Sequence, residues 1–208
     1  MPLKALEVGF HYYNGPWVVS NFSFMINPGQ IIGLYGPSGS GKSTIARLLA
    51  GFEKPRAGQV LLDGKPIPLK GNNPVQLVLQ HPEKAVNPRW QLEQTIYEGW
   101  RPNPEIMDSF GISNKWLKRW PNELSSGELQ RFCVIRALGP ETRYLIADEM
   151  TTMLDAVTQA QIWEAVLRIA TRRNLGLIVV SHEMSLLNRF CHEIVNLDSY
   201  DRSGLVYN

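Results

Sequence analysis

The chain has 208 residues, 44% of them hydrophobic and 19% charged, which predicts a folded globular protein with one substantial core. A formal net charge of +2 carries no electrostatic signature of a nucleic-acid or membrane surface, so no nucleic-acid partner is expected. The longest apolar runs, such as residues 177–180, are far shorter than the about 20 residues of a membrane-spanning helix. Cys133 and Cys191 lie far apart without metal-ligand spacing, which predicts two buried free thiols.

The first part of the chain is rich in predicted strands. Leu3–Phe10 and Trp17–Ile26 are β-prone segments, and turns rich in Asn, Gly and Pro follow them at residues 14–16 and 27–29. Further short strands are predicted at residues 31–35, 59–62 and 76–79. An antiparallel β subdomain is therefore expected at the N-terminal end.

The character of the sequence changes between residues 82 and 137, where short helical patterns broken by proline and glycine replace the strand-like runs. A helix is then predicted from about residue 157 to 172, with Ile162, Val166 and Ile169 on one face. Strands are predicted on either side of that helix, at residues 144–147, 177–180 and 193–197. This order predicts an α/β fold, with a core of residues 1–81 and 138–208 and a small helical insert of residues 82–137.

A glycine-rich segment separates the predicted strand at residues 31–35 from helix-prone residues 45–49. It matches the phosphate-loop pattern G-x-x-x-x-G-K-[ST] at Gly36, Pro37, Ser38, Gly39, Ser40, Gly41, Lys42, Ser43 and Thr44. A strand, a glycine-rich turn and a helix direct backbone N–H groups and the positive helix end at one point, which suits a polyphosphate. Lys42 is expected to reach the β- and γ-phosphates, and the Ser43 hydroxyl is expected to bind Mg²⁺. The chain is therefore predicted to bind a nucleoside triphosphate.

A second segment ends in two carboxylates. Residues 143–147 form an apolar strand, and Asp148 and Glu149 follow directly. Ligands of open α/β sheets bind at the carboxyl ends of strands, so Asp148 is expected to face the phosphate loop. An acid at that point can hold the Mg²⁺ shell, while Glu149 can polarise a water for attack on the γ-phosphate.

A second helix start is suited to an anion. The segment Leu124–Arg131 opens with small hydroxyl and glycine residues and continues as a helical pattern. Alone it would be an ordinary N-cap. Two phosphate cradles and one catalytic strand in the same chain suggest that the second cradle serves a neighbouring molecule.

Together these segments resemble the nucleotide-binding subunits of ABC transporters, over essentially the whole chain and in the family order. The phosphate loop is similar to the Walker A loop, residues 144–148 to Walker B, and Leu124–Glu128 to the signature Leu-Ser-Gly-Gly-Gln. The resemblance implies the P-loop NTPase core of an ABC ATPase, with ATP as substrate, Mg²⁺ as cofactor and Glu149 as the catalytic glutamate. It also implies that Ser125 and Gly127 bind the γ-phosphate held by a facing subunit.

Four further residues match family motifs. Gln80 matches the Q-loop glutamine, which touches Mg²⁺ and senses the transmembrane partner, and His182 matches the switch histidine. Asp155 matches the D-loop and is also suited to N-cap the following helix. Tyr12 falls where the family stacks an aromatic ring on adenine, with Tyr13 as the alternative. The implied catalytic set is Lys42, Gln80, Glu149 and His182.

The signature departs from the family pattern at two positions. Ser126 replaces the second glycine and Glu128 replaces the glutamine, while Ser125 and Gly127 are retained. The retained pair predicts a working signature with altered strength. Met150 stands where a proline usually follows the catalytic glutamate, and no consequence is attached to it.

The segment after Gln80 resembles the peptide and nickel importer branch, whose ATPases carry the Asn-Pro-Arg found here at residues 87–89. A plain Asn-Pro turn is the alternative. Members of that branch usually carry a long C-terminal extension, and since this sequence ends at Asn208, a trimmed member is expected. Peptide, nickel and a metal chelate stay open as cargo.

The resemblance implies partners and a location. These are integral membrane permease subunits, a second identical or related ATPase subunit and, indirectly, an extracytoplasmic solute-binding protein, at the cytoplasmic face of the membrane. A soluble ABC ATPase of translation or DNA repair is the first alternative, but it would usually carry two cassettes or a long coiled-coil insertion. A small-molecule kinase would not explain the signature, Gln80 and His182 together.

Overall fold

A computed structural model describes residues 1–68 and 71–198. The strands are β1 (Leu3–Phe10), β2 (Val19–Ile26), β3 (Ile31–Tyr35), β4 (Ala57–Leu62), β5 (Lys65–Pro66), β6 (Val75–Val78), β7 (Tyr144–Asp148), β8 (Gly176–Ser181) and β9 (Glu193–Asn196). The α-helices are α1 (Lys42–Leu49), α2 (Leu92–Tyr97), α3 (Pro104–Ser109), α4 (Ser126–Ala137), α5 (Ala156–Arg173) and α6 (Met184–Phe190). Short 3₁₀ turns lie at Pro82–Lys84, Asn114–Trp116 and Pro121–Glu123.

The strands form two sheets. One is antiparallel with the order β2-β1-β4-β5, and the other is parallel with the order β6-β7-β8-β3-β9. β7 and β8 lie inside the parallel sheet and are buried along their whole length, as expected for a sheet covered on both faces. Gly176 is required at the start of β8, because a Cβ there would lie 2.4 Å from the ring of Tyr144.

Alternate side chains of the parallel sheet enter two cores. Leu145 and Ala147 of β7 join a core with α4, α5 and the helical segment, whereas Tyr144 and Ile146 join a core with α1 and the antiparallel sheet. The parallel sheet therefore separates two apolar layers. The two-residue period of a strand decides which of the two cores each side chain of β7 enters. The α/β fold predicted from the sequence is confirmed.

The predicted strands and the long helix are confirmed, with differences at their ends. The strand predicted from Trp17 begins at Val19. Before it, the Trp17 ring packs over Gly9, and Val18 N–H donates to the Phe10 carbonyl at 2.9 Å. The prediction of two buried thiols is wrong for Cys191, which ends α6 and is only half-buried. Burial raises the pKa of each thiol to about 11. Residues 199–208, predicted as part of the core, lie outside the described residues.

Between residues 82 and 137 the structure contains helices and turns and no strand. α4 is the longest helix there, and its Phe132, Val134 and Ile135 are fully buried. Across the described ranges, no helix is long and apolar enough to cross a membrane.

Candidate ATP site and its second half

Four parallel strands end at one edge of the sheet and bring the predicted phosphate-binding residues together. β3 leads into the phosphate loop, β6 is followed by Gln80, β7 ends at Asp148 and β8 is followed by His182. These strands are neighbours in the order β6-β7-β8-β3. Because the carboxyl ends of parallel strands meet at the same edge, residues far apart in sequence become neighbours in space.

The phosphate loop is shaped by two glycines with left-handed backbone. Gly39 has a φ of 82° and Gly41 a φ of 96°, a region that other residues rarely adopt. A Cβ on Gly41 would also lie 3.0 Å from the Val18 carbonyl oxygen. The loop closes with a hydrogen bond from Ser40 N–H to the Pro37 carbonyl at 3.2 Å, and α1 begins at Lys42.

Lys42 lies inside this loop and is only 5% exposed. Its Nζ donates to the carbonyl oxygens of Gly36 at 2.7 Å and Pro37 at 2.8 Å, and it lies 4.0 Å from Glu149 Oε1. A buried ammonium group within a glycine-rich loop before a helix suits a polyphosphate.

Beside Lys42 in the chain, the Ser43 hydroxyl pairs with the Asp148 carboxylate. Ser43 Oγ donates to Asp148 Oδ1 at 3.1 Å. Burial raises the pKa of Asp148, and the Ser43 hydrogen bond opposes that shift. The described residues contain no group of three or more His, Cys, Asp or Glu side chains that could hold a metal by themselves. A hydroxyl and one carboxylate fit Mg²⁺, which is commonly held by one or two carboxylates and substrate phosphates.

Glu149 adopts an uncommon backbone conformation. Its φ of 48° lies in the left-handed region, which costs about 1–3 kcal/mol for a residue other than glycine. The Val180 carbonyl accepts its N–H at 3.0 Å, and Thr152 donates twice to its carbonyl. Held in this way, its Oε1 lies 3.1 Å from His182 Nδ1. Backbone strain at a carboxylate beside a histidine and a buried lysine is typical of a functional site.

Gln80 and Glu149 face the phosphate loop across a cleft of about 310 Å³. Lys42, Ser43 and Thr44 line the same cleft, as does Val18. Val18 was not predicted from the sequence: it lies in the turn before β2, where no motif or periodicity marks it.

Tyr12 and Tyr13 are placed differently. Tyr12 is 38% exposed, packs edge-on against Phe10 and has its hydroxyl 3.4 Å from Thr44 Oγ1. Tyr13 is 90% exposed and has a left-handed φ of 49°. Of the two rings, Tyr12 is the one beside the phosphate loop.

Ser125, Gly127 and Asp155 lie together at a separate cleft of about 340 Å³. None of its lining residues lines the phosphate-loop cleft. Trp116 is also part of its wall and was not predicted as a site residue. Within this chain, the cleft at Ser125 and the phosphate-loop cleft are therefore separate.

The start of α4 is closed by a reciprocal cap. Glu128 Oε2 accepts from Ser125 N–H at 2.8 Å and from Ser125 Oγ at 2.9 Å, while Glu128 N–H donates to Ser125 Oγ at 3.3 Å. The residue that departs from the family signature thus places its carboxylate on the donors of Ser125.

Gly127 and Asp155 join this helix start to α5. A Cβ on Gly127 would lie 3.1 Å from Thr158 Cγ2, so glycine permits the close approach of the two helices. Asp155 caps α5 by accepting from the N–H groups of Val157 and Thr158 at 3.0 Å each. These backbone hydrogen bonds, led by that of Thr158, lower the pKa of Asp155.

The strand order, the phosphate loop and the convergent Lys42, Asp148 and Glu149 define the ATP-binding cassette of a P-loop ATPase. The sequence model of the family described as ABC transporter matches residues 19–152. This chain belongs to the ABC transporter family and is an ATPase.

A known relative is similar to this chain in sequence, and two solved structures are similar to it in fold. The chain is 33% identical over 209 aligned residues to the nickel import system ATP-binding protein NikE of Staphylococcus aureus (strain bovine RF122 / ET3-1), covering 94% of this chain and 86% of that protein. The ATP-binding cassette MJ0796, in a dimeric post-hydrolysis state bound to ADP and Pi, superposes with a TM-score of 0.79 at 22% identity, covering 93% of each chain. CbiO1 from Clostridium perfringens, part of the ABC transporter complex cbiONQ, has a TM-score of 0.75 at 22% identity, covering 93% and 83%.

Proposed function

We propose that this chain is the ATP-hydrolysing subunit of an importer for nickel or a related small solute, such as a peptide or metal chelate. The observation that carries the proposal is the 33% identity to a nickel import ATPase across 94% of the chain. A non-transport ABC ATPase is not favoured, because that identity extends through the segment after Gln80, where we place the contact with the permease.

ATP is held in this proposal by the phosphate loop, with the backbone amides of residues 36–44 around the phosphates and Lys42 against the β- and γ-phosphates. Tyr12 stacks on the adenine. Ser43, Asp148 and Gln80 would hold Mg²⁺, because Ser43 and Gln80 offer hydroxyl and amide oxygens at one cleft and the Asp148 carboxylate is hydrogen-bonded to Ser43. Bound Mg²⁺ supplies positive charge that offsets the developing charge on the phosphates.

Hydrolysis in this proposal depends on Glu149 and His182. Glu149 orients a water and accepts its proton as the water oxygen bonds to the γ-phosphorus and the bond to ADP breaks. His182, 3.1 Å from Glu149 Oε1, holds the carboxylate and the γ-phosphate region in place. Lys42, 4.0 Å from the same carboxylate oxygen, stabilises the negative charge of both groups.

The complete site requires two ATPase chains. Ser125 and Gly127 line a cleft of their own, so we propose that they close over ATP held by a facing subunit, with Asp155 at the contact. The facing subunit is a second copy or a related ATPase. ATP binding closes the pair and hydrolysis opens it.

We place the permease contact at the helical segment of residues 82–137. Asn87 is exposed and forms a turn, its Oδ1 accepting from Arg89 N–H at 3.0 Å. Ala85, two residues earlier, lines a cleft of about 370 Å³ between the parallel sheet and this segment. A peripheral position at the cytoplasmic face of the membrane follows from such a contact, and the solute-binding protein would act through the permease.

Charged substitutions of Asn87 or Trp90 are expected to reduce transport severalfold and to spare basal ATPase activity. Asn87 is exposed and Trp90 only half-buried, so neither substitution disturbs a core. Arg168→Glu, on the exposed face of α5, is the matched control for Asn87→Glu. Transport and ATPase activity are measured in the reconstituted complex, and equal loss of both would mark the segment as structural.

The cargo is tested by reconstituting the chain with its permease subunits in proteoliposomes. We expect ATP-driven uptake of ⁶³Ni²⁺ in the presence of the solute-binding protein, lost with Lys42→Ala. Uptake of a labelled peptide in place of nickel would assign the peptide class. ATPase activity that no permease stimulates would contradict the importer proposal.

Tyr12→Ala is expected to weaken ATP binding by about 1–3 kcal/mol, the usual contribution of a base stacked on an aromatic ring. Tyr13→Ala is the matched control and should have a much smaller effect, because that ring projects into solvent. Titration with a fluorescent ATP analogue measures both variants. The reverse ranking would show that Tyr13 is the adenine platform.

A further inference from the structure

One buried polar side chain of α4 reaches the backbone beside Gln80. Gln130 is 1% exposed, and its Nε2 donates to the carbonyl oxygen of Leu79 at 3.1 Å. Leu79 is the residue directly before Gln80. One helical turn later, the buried Cys133 Sγ lies 3.8 Å from the carbonyl oxygen of Pro82. α4 therefore contacts the backbone on both sides of Gln80.

The same helix carries the second phosphate cradle at its start. Ser125 caps α4 and Gly127 lies in its first turn, so Gln130 is only five residues from the cap. Five residues of α-helix rise about 7.5 Å as one rigid element. A displacement of the backbone at Leu79 would therefore reach Ser125 through Gln130 and the first turns of α4.

Packing alone does not account for a glutamine at this position. Its Oε1 is buried and has no hydrogen-bond partner among residues 1–68 and 71–198. Burying an amide with one end unpaired costs free energy that an apolar side chain of similar length would avoid. The hydrogen bond to Leu79 is the feature that an apolar residue could not supply.

We propose that Gln130 is a positioning residue that couples the Gln80 loop (residues 79–82) to α4, the helix that begins at the signature residues. When Gln80 engages MgATP in its own subunit, Gln130 carries the shift to α4 and sets Ser125 and Gly127 against the nucleotide of the facing subunit. This inference rests on the proposed two-chain site. It assigns Gln130 no contact with ATP.

The test uses Gln130→Met in the assembled complex with its partner subunits. Methionine keeps the length and burial of the side chain and removes the donor. Thr95→Val in α2 is the matched control, because Thr95 is 0% exposed, has a buried hydroxyl without a partner in the described part of the chain, and lines neither the phosphate-loop cleft nor the cleft at Ser125. Allosteric couplings typically change an equilibrium about 5–150-fold. We expect kcat to fall roughly tenfold, with the Hill coefficient for ATP near one and ATP affinity of the isolated chain changed less than about twofold.

A double-mutant cycle with Gln80→Ala separates coupling from general damage. Since Gln130 acts through the Gln80 loop, Gln130→Met should have little further effect on kcat in the Gln80→Ala background. Independent, multiplying effects of the two substitutions would overturn the proposal. So would a wild-type Hill coefficient and kcat in Gln130→Met.

Folding is monitored by thermal melting of Gln130→Met and of a second variant, Gln130→Leu. A loss of more than about 10 °C in both variants would assign Gln130 to core packing and overturn the proposal. Wild-type complex that hydrolyses ATP without cooperativity or nucleotide-dependent closure would instead refute the two-chain site on which the inference rests.

Discussion

Lys42→Ala is expected to abolish ATP binding. The phosphates would lose the buried ammonium group of the loop, which lies 2.7 Å from the Gly36 carbonyl oxygen and 4.0 Å from Glu149. Without the lysine, the negative charges of the triphosphate and of the Glu149 carboxylate would repel each other at short range. Isothermal titration calorimetry should show no affinity in the micromolar range.

Arg47→Ala is the matched control for this variant. Arg47 is a cation on the same helix, but it is exposed, so its removal should leave micromolar binding intact. Circular dichroism of both variants checks the fold. Wild-type affinity for MgATP in Lys42→Ala would remove Lys42 from the proposed role.

Much of the parallel sheet could be predicted from the sequence because its strands are buried on both faces. β7 and β8 are therefore short runs of apolar residues, and the residues that follow each run carry the chemistry. Asp148 and His182 could be placed at one edge of the sheet from this pattern alone. The sheet order that makes them neighbours came from the structure.

Local irregularities could not be predicted, because no sequence period marks them. β1 contains a register shift at which Glu7 takes a φ of 48°, and Glu149 has the same φ at the site. Each depends on hydrogen bonds to partners distant in sequence, such as the Val180 carbonyl that accepts from Glu149. The sequence predicted Glu149 as a carboxylate at a strand end but not the backbone that aims it.

Contacts between segments are the other part that the sequence did not predict. The cap at Ser125 is local, since its partner lies three residues away, and the small residues there already suggested a helix start. The bond from Gln130 to Leu79 joins residues 51 positions apart. No spacing rule reaches that distance, so the sequence predicted no role for Gln130.

Glu149→Gln is expected to reduce hydrolysis steeply while leaving ATP bound. Glutamine keeps the size of the side chain and keeps an oxygen that can contact His182. In the unmutated chain, Nδ1 of His182 lies 3.1 Å from Glu149 Oε1. Glutamine removes the negative charge that accepts a proton from the attacking water, a contribution of about 10²–10⁴-fold. Lys42 and Ser43 are unchanged, so MgATP should still bind. Single-turnover release of phosphate from radiolabelled ATP measures the loss.

The same variant is expected to trap a dimer, which makes it a test of the two-chain site. With the γ-phosphate uncleaved, the nucleotide stays available to Ser125 and Gly127 of the facing subunit, and the closed pair should persist. Size-exclusion chromatography with light scattering, with and without MgATP, shows the change from monomer to dimer. If the natural partner is a related ATPase, the measurement belongs in the mixed complex.

We expect the Glu128 carboxylate to limit how tightly the trapped pair closes. It accepts from both Ser125 N–H and Ser125 Oγ, at 2.8 and 2.9 Å. In the proposed two-chain site, an incoming γ-phosphate would compete with this carboxylate for the same two donors. Trapping should therefore be stronger at high MgATP. It should also be stronger in the double variant Glu149→Gln, Glu128→Gln, because glutamine at position 128 keeps the cap and removes the charge.

Ser125→Arg added to Glu149→Gln should dissolve the dimer without reducing ATP binding by the same chain. Persistent monomer in Glu149→Gln and in its mixed complex, despite tight ATP binding, would show that the cleft at Ser125 does not receive a neighbour's nucleotide.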